Sequence, residues 1–329
     1  MSGENGHGQA PVEFLERHFP PPLEARPDFA PPARPRRPWR LALILFVLTI
    51  FSTLAVGVEF ATAYAASEAP FSSDVNPFSG FFIPFQHPRL LLAGIPFSFT
   101  LLGILLAHEL GHYFACRYYG INASYPYFIP APTIIGTMGA FIRIRSPIIN
   151  RRALFDVGIA GPVVGFLFAV PALAAGVAYS KIVPGAQADA SLIFGNPPLV
   201  RMMLALFHPG IAAENVLLHP VARAAWVGLF ATALNLLPAG QLDGGHIVYS
   251  IASDQHRKIS LGVALALVPL GILFWQGWIF WAVLLLLIGF RHPPLLDRWE
   301  PLDPPRRAWA VVALLIFLLC FTPVPFTVH

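Results

Sequence analysis

Uncharged apolar runs of helix length organise this sequence. Leu41–Val58 and Leu90–Ala107 each hold 18 residues without a charge, Val157–Ser180 holds 24 and Ala224–Leu242 holds 19. About 20 such residues carry a helix across a bilayer. Ile259–Phe290 has 32, too many for one crossing. Gln276-Gly277, between Trp275 and Trp278, reads as a tight turn with interfacial aromatics that divides it. Ala308–Val328 follows, its helix expected to end near Pro323. The pattern predicts an all-α polytopic membrane protein of about seven transmembrane helices. Leu192–Leu218 is moderately apolar but broken by Pro197, Pro198 and Pro209, so it is expected at an interface.

Residues 1–38 differ in kind. Nine prolines, five arginines and five acidic residues without apolar periodicity read as a flexible cytosolic tail. Residues 39–329 are then the membrane domain. Ala61-Thr62-Ala63 after the first run offers a signal-peptide cleavage site. The charged stretch before the run is too long for a signal peptide, so an uncleaved first span is expected. Basic residues recur on alternate sides: Arg40 before the first run, Arg143, Arg145, Arg151 and Arg152 after the second, Arg257 and Lys258 after the fourth. That alternation predicts a cytoplasmic N-terminus.

Composition sharpens the class. The chain is 56% hydrophobic and 12% charged, about half the charge of a soluble domain, which excludes a soluble enzyme. A net charge of +4 follows from basic loops and does not call for nucleic acid. Cys116 and Cys320 both lie in apolar stretches, which argues against a disulfide scaffold.

Ionisable residues at membrane depth persist only with a partner or a function. The second run ends in His108-Glu109-Leu110-Gly111-His112, an H-E-x-x-H pattern. On a helix, His108 and His112 stack on one face and can chelate one Zn²⁺, while Glu109 is rotated by roughly 100° and lies beside the metal. From there Glu109 can take a proton from an attacking water and pass it to a leaving amine. Zinc in a catalytic site needs a third protein ligand and an open fourth position. Asp243 is the acidic residue near the end of another span, on the same membrane side by this topology. Each feature has a plainer alternative: a chance motif for the histidines, an interfacial helix-end charge for Asp243.

Together, His108-Glu109-Leu110-Gly111-His112 and Asn235-x-x-Pro238-x-x-x-x-Asp243-Gly244 resemble the site-2 proteases, intramembrane zinc metalloproteases. The resemblance extends to Gly136-Thr137-Met138-Gly139-Ala140 and to Asn150-Arg151-Arg152-Ala153-Leu154-Phe155-Asp156, and covers about residues 90–250, the expected catalytic core. It implies one zinc per chain on His108, His112 and Asp243, and Glu109 as general base. It also supports an amide donor role for Asn235, whose alternative is an interhelical hydrogen bond.

The stretch from Gly136 to Arg145 alternates apolar and polar residues toward its end and follows Pro126, Pro130 and Pro132, so it reads as a strand. A short re-entrant β-hairpin near the active site fits, with Gly136, Thr137, Gly139 and Ala140 receiving substrate by strand addition. A cytoplasmic loop with a short hairpin is the alternative. Gly161 and Gly165 read as helix packing positions, and His246, three residues after Asp243, as a loop histidine whose alternatives are a partner behind the ligands or a stray ligand. The expected function is hydrolysis of a peptide bond in or beside a transmembrane helix of a membrane-protein substrate, in contact with lipid, at a site facing the cytoplasm. A divalent-metal transporter and a catalytically inactive binding relative are the competing readings. A transporter needs ligands spaced along a path, whereas these cluster at one depth.

Overall fold

The computed structural model describes residues 39–71, 87–185, 192–289, 292–295, 297 and 301–328. The chain divides into two units, Met1–Pro38 and Trp39–His329. The tail expected over 1–38 lies outside the described residues.

The second unit is mostly helical. In chain order it holds α1 (Trp39–Ala66), a 3-10 turn (Pro88–Gly94) running into α2 (Ile95–Tyr118), β1 (Tyr127–Pro130), β2 (Thr137–Phe141) and α3 (Arg151–Ala178). Then come β3 (Lys181–Ile182), β4 (Leu192–Phe194), α4 (Pro198–Phe207), β5 (Val216–Leu217), α5 (Pro220–Asn235) and α6 (Asp243–Ala252). α7 (His256–Leu273), α8 (Gly277–Ile288), α9 (Pro304–Cys320) and β6 (Phe326–Val328) complete it. Among the described residues, four helical stretches are long and apolar enough to cross a membrane: Trp39–Ala66, Pro88–Tyr118, Arg151–Ala178 and His256–Leu273.

α2, α3 and α5 form the centre and carry Leu101, Leu154, Leu173, Trp226 and Leu229, all fully buried. Small residues let these backbones approach. A Cβ on Gly111 would lie 2.6 Å from the Ala160 carbonyl oxygen, and one on Gly176 would lie 2.3 Å from the Ala222 nitrogen. α3 begins where the Asn150 side chain accepts the Ala153 N–H at 2.8 Å, an N-cap. It continues through Pro162 and Pro171.

The apolar run 224–242 is not one helix. α5 stops at Asn235, and a loop precedes α6. Pro238 has no N–H to continue a helix, and Gly240 takes φ +57, a left-handed conformation open to glycine. α7 pins that loop: Ser260 accepts the Gly240 N–H at 3.1 Å, and His256 Nε2 donates to the Gly240 carbonyl at 3.1 Å. Gly244 and Gly245 make the tight return possible. A Cβ on either would fall 2.2 Å from the Leu236 oxygen or 2.4 Å from the Gly240 oxygen. The break expected at Gln276-Gly277 is present, since α7 ends at Leu273 and α8 starts at Gly277.

β1 and β2 pair antiparallel, Tyr127 opposite Phe141 and Phe128 opposite Ala140, with an irregularity between Phe128 and Pro130. The hairpin is held on α1. Ser52 Oγ donates to the Gly136 carbonyl at 2.6 Å, and Phe46 packs on Phe128 with ring centroids 4.9 Å apart.

α9 is tied to the core at Asp156. Arg306 donates to both Asp156 oxygens, at 2.8 and 2.6 Å, and pairs with Asp303, while Tyr119 also donates to Asp156. These side chains are 22–30% exposed, so solvent screens them, but the forked geometry within a cluster exceeds a lone surface pair. Asp156→Ala is expected to destabilise the protein by about 1 kcal/mol, read as a lower thermal midpoint in detergent. An unchanged midpoint would deny the cluster a stabilising role.

A candidate metal centre between the central helices

His108, Glu109 and His112 occupy consecutive turns of α2 and are all buried, 5–7% exposed. Asp243 is the first residue of α6, where the helix dipole favours a carboxylate. The loop after α5 delivers it to the two histidines. His108 Nε2 lies 3.2 Å from Asp243 Oδ2, His112 Nε2 lies 3.3 Å from Asp243 Oδ1, and the two Nε2 atoms are 3.1 Å apart. His112 Nδ1 donates to the Val157 carbonyl at 2.7 Å, so its Nε2 presents a lone pair to the centre.

These separations test the fit of a metal. Bonds of about 2.0–2.1 Å in a tetrahedron place ligand atoms about 3.3–3.4 Å apart. The two imidazole nitrogens, and the nearer carboxylate oxygen to each, approach that spacing, and two imidazoles with a carboxylate suit a divalent transition metal. Among the described residues they are the one group of three or more metal-ligating side chains so assembled.

α3 shapes the space for the rings. A Cβ on Gly161 would lie 2.1 Å from His112 Nε2, and one on Gly165 would lie 3.1 Å from His108 Cβ. These positions, expected to serve packing, also make room for the imidazoles.

A cavity of about 190 Å³ opens on the donors, lined also by Glu109, Ala140, Ile142 and Asn235. Glu109 lies against the Ile142 backbone amide. The Asn235 amide nitrogen is 3.2 Å from His108 Nε2. Of the four hairpin residues expected to meet substrate, Ala140 lines this cavity. Gly136, Thr137 and Gly139 are not among its lining residues. Thr137 is buried and donates to the Ile129 carbonyl at 2.8 Å, and Gly136 and Gly139 take φ +83 and +100, so these three shape the hairpin. Phe141, Ile142 and Ile144 line the cavity together with Ala140.

His246 is on α6, not in a loop. Its ring lines the cavity, and its Nδ1 is 2.8 Å from His292 Nε2. Desolvation, and after it the nearby His292, pushes its imidazole down to about 4. His246 follows Asp243 by three residues, which on a helix places it on the same side.

The fold and this centre define a class, helical proteins with membrane-length helices around a buried His-His-Asp donor set. The sequence model of Peptidase family M50 matches residues 96–275, more than half of the chain, and the chain belongs to that family. It is 32% identical over 295 residues to "Probable zinc metalloprotease EGY1, chloroplastic" of Arabidopsis thaliana, covering 86% of this chain and 53% of the relative. It is 31% identical over 251 residues to "Probable zinc metalloprotease EGY2, chloroplastic" of the same plant, covering 74% and 44%. Identity to "Probable zinc metalloprotease EGY3, chloroplastic" of Oryza sativa subsp. indica is 26% over 307 residues, covering 87% and 48%. The chain spans about half the length of these relatives.

Proposed function

We propose that this chain is an intramembrane zinc metalloprotease that cleaves peptide bonds in or next to transmembrane helices of membrane-protein substrates. Residues 39–329 form the protease domain, with the catalytic core within about 90–250. One zinc is held by His108, His112 and Asp243, with a fourth position left for water or substrate. The observation that carries this is the convergence of two buried imidazole nitrogens 3.1 Å apart with the Asp243 carboxylate, one oxygen 3.2 Å from His108 and the other 3.3 Å from His112, beside a buried Glu109 outside that donor set.

Zinc supplies Lewis-acid charge that favours ionised water and negative charge on the substrate's carbonyl oxygen. Glu109 accepts the water proton on a carboxylate oxygen, holds it within the cavity and returns it to the departing amine nitrogen. Asn235 directs its amide at the same space and donates to the carbonyl oxygen as charge develops there. The substrate must be extended at the cut, because a helical carbonyl is shielded by its own hydrogen bond. The hairpin, re-entrant in this reading, supplies an edge for that extended segment. Gly136, Thr137, Gly139 and Ala140 of that hairpin receive the substrate by strand addition.

The membrane arrangement is part of the same reading. Seven spans are α1, the Pro88–Tyr118 stretch, α3, α5, α7, α8 and α9, surrounded by lipid. The N-terminus and the active site face the cytoplasm, in keeping with the basic residues that follow α2. Residues 1–38 are the cytosolic tail.

The test is metal analysis of the purified protein. About one zinc per chain is expected, with most of it lost in a His108→Ala, His112→Ala double variant. Full occupancy in that variant would remove the proposed ligands. Zinc uptake by liposomes holding the protein, without cleavage of any membrane helix, would favour transport.

A further inference from the structure

A second cavity of about 440 Å³ adjoins the metal centre. Both cavities are bounded by Phe141, Ile142, Ile144, Gln241 and His246, so they meet along that wall. The second is further lined by apolar Ile148, Leu154 and Leu295, with Arg143 and Ser146 among its polar residues.

The backbone along the shared wall points the right way for a substrate strand. The Arg143 carbonyl accepts the Ser124 N–H at 3.0 Å, and the Arg145 N–H donates to the Asn122 carbonyl at 2.8 Å. Peptide groups alternate edges along an antiparallel strand, so those of Ile142 and Ile144 turn away from 122–124; both residues line the two cavities, with the Ile142 amide against Glu109. Side chains on one face of an added strand recur every second residue, about 7 Å apart. A substrate strand on this edge therefore sets one residue at the metal centre and sends a near neighbour into the second cavity.

A histidine pair marks the boundary. His292 Nδ1 donates to the Pro293 carbonyl at 2.7 Å, which leaves His292 Nε2 as an acceptor for His246 Nδ1–H at 2.8 Å. His246 Nε2 is then an acceptor on a ring that lines both cavities. Tyr249 stacks on His292 with ring centroids 4.1 Å apart and holds the pair in place.

We propose that the second cavity is a side-chain subsite that takes a large apolar residue of the substrate close to the scissile bond. His246 is its positioning residue, accepting a hydrogen bond from the substrate backbone. The proposal rests on the protease reading above. Ile148, Leu154 and Leu295 favour an apolar side chain, and 440 Å³ admits the bulkiest.

The experiment uses the full chain in detergent and membrane-helix substrates that differ at one residue near the cut: Phe, Leu, Ala or Asp. Wild type is expected to favour Phe and Leu over Ala by about 10-fold or more in kcat/KM. Leu295→Trp and Ile148→Trp, each filling the cavity, should bring that ratio close to one with zinc content near wild type. His246→Ala should raise KM more than it lowers kcat, and His246→Asn, which keeps an acceptor, should recover part of the loss. An unchanged Phe-to-Ala ratio in both tryptophan variants would overturn the subsite. The protease reading has a separate readout. Suppose wild type cleaves nothing, yet the Phe helix binds Glu109→Gln protein and loses that binding when Leu295→Trp is added. The cavity then stands as a binding site and the protease reading fails. No cleavage and no cavity-dependent binding would overturn both.

Discussion

Glu109→Gln is expected to remove cleavage while leaving zinc content near that of the wild type. Glutamine keeps the shape of the side chain and much the same helix propensity, so α2 has no reason to change. Glu109 is one residue from His108 along the helix and stands outside the donor set, so the ligand atoms are untouched. What disappears is an oxygen able to hold a proton. General-base catalysis of this kind contributes about 10²–10⁴ in rate, and that factor should be lost. The measurement pairs zinc per chain with cleavage of a membrane-helix substrate for the two proteins. Cleavage retained at the wild-type rate would take the base role from Glu109. Zinc lost together with cleavage would make Glu109 a ligand instead.

Gly161→Ala should weaken zinc binding in a protein that still folds. At an interior helical position alanine is the better helix former, by about 1 kcal/mol. Here its Cβ would lie 2.1 Å from His112 Nε2 and 2.5 Å from Cε1. The nearest atoms belong to the end of a movable side chain, so the ring yields and the helix stays. That ring is held by its bond to the Val157 carbonyl, and a metal bond tolerates only a few tenths of an ångström. Loss of 10–100-fold in zinc affinity is expected, the range seen when groups behind metal ligands are changed. Circular dichroism should show wild-type helix content, and a competing chelator should report the affinity. Wild-type zinc affinity would mean that the His112 ring has room that the packing does not reveal.

Much of this protein is written locally. Apolar runs of 18 or more residues announce helices because burying or lipid-facing so many side chains leaves no other solution for the backbone. His108 and His112 share a face by helical geometry alone, whatever else the chain does. The hairpin was also legible, from prolines that end α2's continuation and from the alternation that follows. The run 224–242 was harder. Its apolar composition suits one helix, and only Pro238 and the left-handed Gly240 warn that the chain turns there to start α6 at Asp243.

The sequence by itself determined the helix-forming segments, the paired histidines and the identity of Glu109 beside them, because each depends on residues a few positions apart. Only the tertiary structure decided that Asp243, 135 positions beyond His108, brings its oxygens to 3.2 and 3.3 Å from the two imidazoles. It also decided that Gly161 and Gly165 are the spaces into which those rings fit, and that His246 meets His292 across 46 positions. The physical reason is the same in each case. Which helix faces cross, and how closely, is set by simultaneous packing of α2, α3, α5 and α6, and a contact that depends on four elements at once leaves no periodic signature in any one of them.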